Sequence, residues 1–134
     1  MKGKVKLIGM DLDGTLLTTK KELTPYTKAV LKRAAEQGIT VLPATGRPLS
    51  GLTEQLVEFQ GFRYAVTANG GRVVDIRSGE TLFQDLVPVE TARKVLEILG
   101  HYDSLREIYF DGTGYAQEDA LKEVGRYLEE PPVM

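Results

Sequence analysis

Cysteine is absent from the 134-residue sequence, and histidine occurs once, at His101. Without cysteine the chain cannot form disulfide bonds, a thiol nucleophile or a thiolate metal site, and one histidine cannot build a histidine-rich metal cluster. The sequence also lacks an apolar run long enough to span a bilayer. Asp11 and Asp13 interrupt the apolar N-terminal stretch, where a signal peptide would need its hydrophobic segment. We therefore expect a cytoplasmic protein with no membrane partner.

Charge of neither sign dominates the composition. Lysine and arginine number 17, aspartate and glutamate number 19, the net charge is −2, and the basic residues are scattered along the chain. Nucleic acids and anionic membranes are bound by a concentrated basic face, so we expect neither as the main partner. A chain of this length with 42% hydrophobic residues can bury a core without the help of a metal or a disulfide.

Short apolar runs alternate with helical patterns over the first half of the chain. The predicted strands are Val5–Met10, Ile39–Leu42 and Tyr64–Thr67, and the predicted helices between them are Pro25–Gln37 and Pro48–Phe59. Thr24 is placed to cap the first helix and Gly38 to end it. This order predicts parallel strands with right-handed crossovers. The loops after Met10, Leu42 and Thr67 should then meet at one edge of the sheet, where such folds bind ligands.

The pattern changes after the third predicted strand. The further predictions are a β-hairpin of Arg72–Ile76 and Thr81–Leu86, a helix at Pro88–Leu99 whose apolar side faces inward, a strand at Leu105–Phe110 that returns at Tyr115 after the Asp111-Gly112 turn, and a helix at Asp119–Leu128. We expect a domain boundary near Asp85, which divides the chain into residues 1–86 and residues 87–134.

Two carboxylates lie two residues apart where the first predicted strand ends. Asp11 and Asp13 would repel each other, and a hard divalent cation with oxygen ligands, such as Mg²⁺, would relieve that repulsion. Gly14 and Thr15 follow, and their backbone N–H groups can bind a phosphate. The alternative is a loop of solvated acidic residues before a turn, but the full string around the pair is more specific than two spaced aspartates.

Three segments resemble the motifs of one enzyme superfamily. Asp11-Leu12-Asp13-Gly14-Thr15-Leu16-Leu17 resembles the first motif of the haloacid dehalogenase superfamily of phosphohydrolases. Ala44-Thr45-Gly46-Arg47-Pro48 is similar to the second motif of its Cof-type (subfamily IIB) sugar-phosphatase branch, and Ala68-Asn69-Gly70-Gly71 resembles the Asn-Gly loop of that branch. The resemblance implies an α/β fold, with a three-layer Rossmann-like core and a parallel sheet, followed by the start of an α+β cap domain.

The same resemblance implies a Mg²⁺-dependent phosphohydrolase of small phosphorylated metabolites, such as sugar phosphates or nucleotides. Asp11 would attack phosphorus and form an aspartyl-phosphate. Asp13 would protonate the leaving oxygen and later accept a proton from the attacking water, with a pKa tuned by Asp11 and the metal. The ion would bind the Asp11 carboxylate and Asp13, through its backbone carbonyl, and would let an anionic nucleophile approach an anionic phosphate.

Phosphate binding is implied for the loops after the second and third strands. The Thr45 hydroxyl and the Gly46 N–H would bind phosphoryl oxygens at the start of the second helix, where the helix dipole favours anions. Arg47 would either contact the phosphate or pin its loop, and the sequence favours neither. Asn69 would orient Asp13 or a ligand, and the alternative is a turn residue that tolerates left-handed geometry.

Two elements of the family pattern are missing from the sequence: a lysine on a later helix and an acidic pair that completes the metal shell. The chain stops within the expected cap, so we expect a truncated phosphatase that is impaired alone. Its first strand would have an open apolar edge, through which a homodimer could form. A second interpretation is a non-catalytic fragment that binds phosphate or Mg²⁺, or acts through self-association. A third, a phospho-acceptor domain like the response regulators, is disfavoured by Asp13 and the Thr45-Gly46-Arg47 loop.

Overall fold

The computed structural model describes residues 4–117 and divides the chain into two compact units, Met1–Asp85 and Leu86–Met134. In the first unit the strands are β1 (Leu7–Met10), β2 (Thr40–Pro43), β3 (Tyr64–Thr67), β4 (Arg72–Asp75) and β5 (Thr81–Gln84), and the helices are α1 (Pro25–Glu36) and α2 (Glu54–Val57). The second unit contains α3 (Val89–Leu99), β6 (Glu107–Phe110) and β7 (Thr113–Ala116).

Parallel strands form the site-bearing part of the first unit. β1 pairs with β2 in parallel, with Ile8 opposite Val41. Parallel bridges from Val41 to Phe62 and from Ala44 to Val66 continue the arrangement toward β3. The carboxyl ends of β1, β2 and β3 therefore lie at the same edge, which confirms the predicted parallel α/β core.

Helix α1 begins and ends where its sequence predicted. The Thr24 hydroxyl accepts a hydrogen bond from the Thr27 N–H at 3.1 Å, and Pro25 occupies the first helical turn, where its missing N–H costs nothing. Such a cap stabilises a helix by about 1 kcal/mol. Gly38 follows the helix with a φ of +78°, a left-handed conformation that ends helices readily when the residue is glycine. Leu31 anchors the helix in the core.

The prediction of one helix over Pro48–Phe59 is wrong. A single 3₁₀ turn at Leu49–Gly51 is followed by an extended Leu52, with φ −77° and ψ 128°, and only then by the four-residue α2. A continuous helix would use the Gly51 carbonyl internally, but here that oxygen accepts a hydrogen bond from Arg47 Nη1 at 3.1 Å. Glycine also resists helix formation. The apolar spacing that predicted a helix still serves the core, because Leu52 and Leu56 are buried.

Strand β1 is shorter and less buried than predicted. It begins at Leu7 rather than Val5, Leu7 is 56% exposed, and Ile8 and Met10 are only half-buried. Within residues 4–117, β2 is the one strand that pairs with β1. The other edge of β1 is therefore open in the described structure, and its apolar side chains lack the second neighbour that would bury them.

The core of the first unit lies between the sheet and its helices. Phe59 and Phe62 meet edge to face, with ring centroids 4.9 Å apart. The predicted hairpin after β3 is present, because β3, β4 and β5 form an antiparallel sheet with an irregularity between Val73 and Val74. The buried apolar residues packed together are Leu12, Leu17, Leu23, Leu31, Val41, Leu52, Leu56, Phe62, Ala65 and Val74.

In the second unit the predicted helix and hairpin form, but the helix is not buried. Asp111 and Gly112 turn the chain between β6 and β7 with φ values of +48° and +80°, as an Asp-Gly hairpin requires. The expectation that the apolar side of α3 is buried is wrong, since Val89 and Val95 are exposed. The described elements around α3 amount to a two-stranded ribbon, which is too small to cover a helix face. The predicted helix at Asp119–Leu128 lies outside the described residues.

No helix in residues 4–117 combines the length and the apolar character needed to cross a membrane.

Candidate active site

Backbone hydrogen bonds join the loops that follow the three parallel strands. The Ala44 N–H donates to the Met10 carbonyl at 2.7 Å, and the Thr45 N–H donates to the Val66 carbonyl at 2.9 Å. The Asn69 N–H in turn donates to the Thr45 carbonyl at 3.2 Å. The three segments that the sequence singled out therefore meet at one edge of the sheet.

The loop after β1 is one wide turn that separates its two aspartates from the core. The N–H groups of Leu16 and Leu17 donate to the carbonyls of Asp11 and Leu12, at 3.2 and 2.9 Å, and Gly14 takes a φ of +75° at the tip. Leu12 is fully buried between the two aspartates. Because this side chain is anchored inward, Asp11 and Asp13 are both exposed at the edge of the sheet.

Asp11 is held by a neighbour in the same turn. The Thr15 hydroxyl donates to Asp11 Oδ2 at 3.2 Å. Thr15 was predicted to offer its backbone to a phosphate, and the structure adds this side-chain contact with the candidate nucleophile. Gly14, whose left-handed φ suits glycine, makes the turn possible. An exposed carboxylate with one oxygen fixed by a hydroxyl is a group that can attack an electrophile in front of it.

Asp13 is bound by two cations, Lys21 from later in the same β1–α1 connection and Arg47 from the loop after β2. Arg47 donates through Nε to Oδ2 at 2.9 Å and through Nη2 to Oδ1 at 2.7 Å, a bidentate pairing, while Lys21 Nζ lies 3.0 Å from Oδ1. Arg47 also donates to the Gly51 carbonyl, as described above. Of the two roles left open for Arg47, the structure shows the one that pins the loops. All three of its side-chain nitrogens are engaged in that role.

The pKa of Asp13 is lowered, chiefly by the hydrogen bonds from Arg47, with Lys21 acting in the same direction and burial opposing them. The sequence predicted that Asp11 and a bound metal tune this pKa; Arg47 and Lys21 lower it here, and the effect of a metal stays a prediction. A lowered pKa favours the carboxylate, which can accept a proton. Donation of a proton to a leaving group requires the opposite form, so these contacts must loosen before Asp13 can act as an acid.

The second loop places Thr45 beneath the surface and Gly46 at it. The buried Thr45 hydroxyl accepts a hydrogen bond from the Arg47 N–H at 3.2 Å. Neither residue begins a helix, because Pro48 and a short 3₁₀ turn follow, so the predicted helix-dipole contribution at this loop is wrong. Binding of phosphate by Thr45 and Gly46 stays a prediction.

Asn69 lies against the second loop. Its side chain leaves no space for a side chain at Gly46, because a Cβ there would come within 2.8 Å of Asn69 Oδ1. Asn69 has a φ of +54°, next to Ala68 at +51°, so it has the left-handed geometry of a turn residue, and its role in orienting Asp13 or a ligand stays a prediction. The close approach of Asn69 and Gly46 explains why glycine suits this position.

The residues predicted to bind Mg²⁺ form only a partial donor set. Across residues 4–117, no three acidic or histidine side chains gather as a metal site. Both oxygens of Asp13 accept hydrogen bonds from cationic groups, and Asp11 Oδ2 accepts one from Thr15. Mg²⁺ requires about six oxygen ligands, of which several are commonly waters. The described side chains do not complete such a shell by themselves.

Lys21 and Gln55 were not predicted from the sequence as residues of the site. Lys21 stands in a Lys-Lys-Glu run that reads as solvated charge, and Gln55 stands in a segment predicted as one amphipathic helix. Neither position carries a spacing or composition signal that separates it from surface residues. Their roles come from three-dimensional contacts alone.

Comparison with known proteins agrees with this fold. Residues 8–131 match the sequence model of a family described as haloacid dehalogenase-like hydrolase. The HMP-PP phosphatase of Klebsiella pneumoniae is 35% identical over 120 residues, which cover 87% of this chain and 44% of that protein. The pyridoxal phosphate phosphatase YbhA of Escherichia coli is 32% identical over 106 residues, covering 79% and 39%. The solved structure of the subclass IIB sugar phosphatase BT4131 aligns with a TM-score of 0.70 at 21% identity, covering 92% and 49%.

The chain thus spans less than half the length of each of these three proteins. The likeness to the sugar phosphatase concerns the fold, and it confirms the predicted α/β core. The family match covers most of the sequence, including all three loops at the sheet edge. The chain belongs to the haloacid dehalogenase-like hydrolase family.

Proposed function

We propose that the chain carries the nucleophile of a phosphohydrolase that acts on small phosphorylated metabolites. The observation that carries the proposal is the position of Asp11: an exposed carboxylate at the carboxyl end of a parallel strand, two residues before Asp13 and beside the Thr45-Gly46 loop. Thr15 restrains one carboxylate oxygen by its hydrogen bond. Membership of the family supports this assignment of the loop.

In the proposed reaction, an Asp11 oxygen forms a bond to phosphorus while the bond from phosphorus to the leaving oxygen breaks. The leaving oxygen takes a proton from Asp13. Water then attacks the aspartyl-phosphate, gives one proton to Asp13 and releases phosphate, which returns Asp11 to its carboxylate and Asp13 to its protonated form. Mg²⁺, held by the Asp11 carboxylate and the Asp13 backbone carbonyl, would offset the repulsion between the Asp11 carboxylate and the phosphate.

The relatives support the substrate class and no single substrate. Their names refer to HMP-PP, to pyridoxal phosphate and to a sugar phosphate, compounds that share a phosphate group on a small molecule. We assign the unit from Leu86 onward to the start of the cap domain implied by the family resemblance, and we place the protein in the cytoplasm on the sequence argument given above.

A second candidate function is non-catalytic, and the open edge of β1 favours it. Leu7 is 56% exposed on this edge strand, and β2 alone pairs with β1 in the described residues. An open apolar edge promotes strand pairing between copies, so the chain would act as a homodimer that binds phosphate. Light scattering tests this candidate: a mass that stays monomeric as concentration rises contradicts it.

The catalytic proposal is tested by hydrolysis of p-nitrophenyl phosphate in the presence of Mg²⁺. We expect measurable turnover by the chain and its loss in Asp11→Asn, which keeps the shape of the side chain and removes its nucleophilic charge. Asp85→Asn, which alters an exposed aspartate outside the site, is the matched control and should keep full turnover. Absence of turnover in the unaltered chain, or equal turnover in Asp11→Asn, contradicts the proposal.

A further inference from the structure

Lys21 brings a second cation to a site that already contains Arg47. Its Nζ lies 3.0 Å from Asp13 Oδ1, the same oxygen that Arg47 Nη2 approaches to 2.7 Å. An ammonium group has three N–H donors, and this contact uses one of them. The Lys21 side chain is 52% exposed, so its charged end has room to move away from Asp13.

The two cations differ in freedom. Arg47 is fixed by hydrogen bonds from all three side-chain nitrogens, to Asp13 and to the Gly51 carbonyl. Lys21 has a flexible four-carbon stem and meets Asp13 as a point charge. If one of them is to follow an incoming anion, Lys21 can do so without releasing a loop, whereas Arg47 cannot.

The backbone at Lys21 is held in a conformation that lysine rarely adopts. Its φ is +61°, and its N–H donates to the Thr18 carbonyl at 2.9 Å, while the Thr18 N–H donates to the Glu22 carbonyl at 3.0 Å. A left-handed backbone is unfavourable for a residue with a Cβ, and such strain is concentrated at functional positions. Glycine would fit this turn without strain, but it would bring no positive charge to the site.

Gln55 clamps this turn from α2. Its Nε2 donates to the Lys21 carbonyl at 2.6 Å, and its Oε1 accepts from the Leu23 N–H at 2.9 Å. Both ends of one amide thus bind backbone groups on either side of Glu22. Leu23 is buried, so the clamp connects the turn to the core as well as to the short helix. The position of the Lys21 side chain depends on this connection.

The formal charges show why a movable cation matters here. Asp11 and Asp13 contribute two negative charges, and Arg47 and Lys21 contribute two positive ones. A phosphate monoester arrives with a further one to two negative charges. Without Lys21 the three remaining groups would carry a net negative charge before the substrate binds, and they would repel an anion.

We propose that Lys21 is a phosphate-binding residue, whose ammonium leaves Asp13 to bind the incoming phosphoryl group, and that Gln55 is the residue that positions it. The proposal rests on the proposed phosphate chemistry of the site.

The test is the binding of inorganic phosphate to the full chain, measured by isothermal titration. We expect Lys21→Met to raise the phosphate Kd about 10-fold, the effect of losing one charge-assisted contact. Lys20→Met removes the same charge from the adjacent exposed residue and should change Kd less than about 2-fold. Lys21→Arg should recover most of the affinity, because it restores the charge.

Gln55→Leu tests the positioning role. It keeps the size of the side chain and removes both hydrogen bonds of the clamp, and we expect it to raise the phosphate Kd about 3-fold. In the double variant with Lys21→Met, the second change should add nothing, because the clamp acts through Lys21. Additive effects would overturn the role assigned to Gln55. Thermal melting of each free variant identifies any change in folding.

Equal Kd values for Lys21→Met and Lys20→Met would overturn the proposal, and so would failure of the unaltered chain to bind phosphate. The p-nitrophenyl phosphate assay separates these outcomes from failure of the proposed function. Turnover that depends on Asp11 but not on Lys21 supports the proposed phosphohydrolase function and contradicts the role proposed for Lys21. Phosphate binding that depends on Lys21 in a chain without turnover supports the inference and contradicts hydrolysis by the chain.

Discussion

Asp75 and Asp13, both in the first unit, each bind an arginine, but Asp75 stabilises a turn whereas Asp13 connects loops at the candidate site. Asp75 is buried at the end of β4, where it accepts hydrogen bonds from Arg63 Nε at 2.9 Å and from the N–H groups of Arg77 and Ser78 at 3.0 and 3.3 Å. Asp13 has a side chain that is 39% exposed, and its partners are the side chains of Arg47 and Lys21.

The difference lies in what would have to move. Asp75 accepts hydrogen bonds from two backbone N–H groups of the turn that follows it as well as from the Arg63 side chain, so two of its three contacts are lost only if that turn unfolds. Asp13 joins the loops that follow β1 and β2 through side chains alone, so a ligand can rearrange its contacts while the backbone stays in place. The same type of contact, a carboxylate with an arginine, is therefore structural in Asp75–Arg63 and a candidate functional contact in Asp13–Arg47.

The largest expected effect is a loss of hydrolytic activity when Asp13, but not Asp75, is replaced by asparagine. Asp13→Asn removes the group to which the proposed reaction assigns proton exchange with the leaving oxygen and water, and we expect hydrolysis of p-nitrophenyl phosphate to fall about 100-fold or more. Asp75→Asn should keep turnover per folded molecule, because Asp75 lies in the β4–β5 turn. Turnover numbers of both variants, corrected for the folded fraction, check this expectation. Equal losses would abolish the distinction between the pairs.

A smaller effect concerns stability at the site. Arg47→Ala removes the bidentate contact with Asp13 and the contact with the Gly51 carbonyl, and we expect it to lower the free energy of unfolding by about 1–2 kcal/mol. Arg47→Lys keeps the charge but loses the planar fork, so it should recover only part of that loss. Urea unfolding curves measure both. Full recovery by lysine would show that charge alone holds the loops.

The strain at Lys21 gives a matched pair of variants. Lys21→Gly and Lys21→Ala both remove the charge, but only glycine adopts the φ of +61° without a steric cost. We expect the glycine variant to be more stable than the alanine variant by about 1 kcal/mol in thermal or urea unfolding. Both should bind phosphate more weakly than the unaltered chain. An alanine variant as stable as the glycine variant would show that the turn carries no strain.

The smallest effect is the acid dependence contributed by Asp75. Its pKa is lowered in the folded chain, first by the hydrogen bond from Arg63 and further by the N–H groups of Ser78 and Arg77, against an opposing effect of burial. The stabilisation is therefore full above the unfolded pKa of about 3.9 and is lost as pH falls through the folded value. In unfolding titrations, the difference between the unaltered chain and Asp75→Asn should be largest near neutral pH and shrink in acid.

The sequence predicted the elements whose local signals agree with their environment. Thr24, Pro25 and Gly38 define α1 by capping and chain stiffness alone, and the Asp-Gly pair at Asp111 defines a hairpin turn. These residues act on the backbone within a few positions, so their effect does not depend on the tertiary packing around them.

The failures have a common physical cause, which is competition from distant groups. The helix predicted after Pro48 is interrupted where Arg47 donates a hydrogen bond to the Gly51 carbonyl. The spacing of apolar residues in the sequence cannot predict that contact. The burial of β1 depends on a second neighbouring strand, which residues 4–117 do not supply. The motifs placed Asp11 and Asp13 correctly at a strand end, but the cations on Asp13 come from loops whose approach is fixed by the tertiary fold.

The proposed function requires that Asp11 forms a covalent aspartyl-phosphate, and peptide mass mapping tests this most directly. The chain is incubated with p-nitrophenyl phosphate and Mg²⁺, quenched in acid and digested. We predict a phosphorylated peptide that contains Asp11, and its absence in Asp11→Asn. Turnover that persists in Asp11→Asn, with no phosphate found on Asp11 in the unaltered chain, would contradict the account.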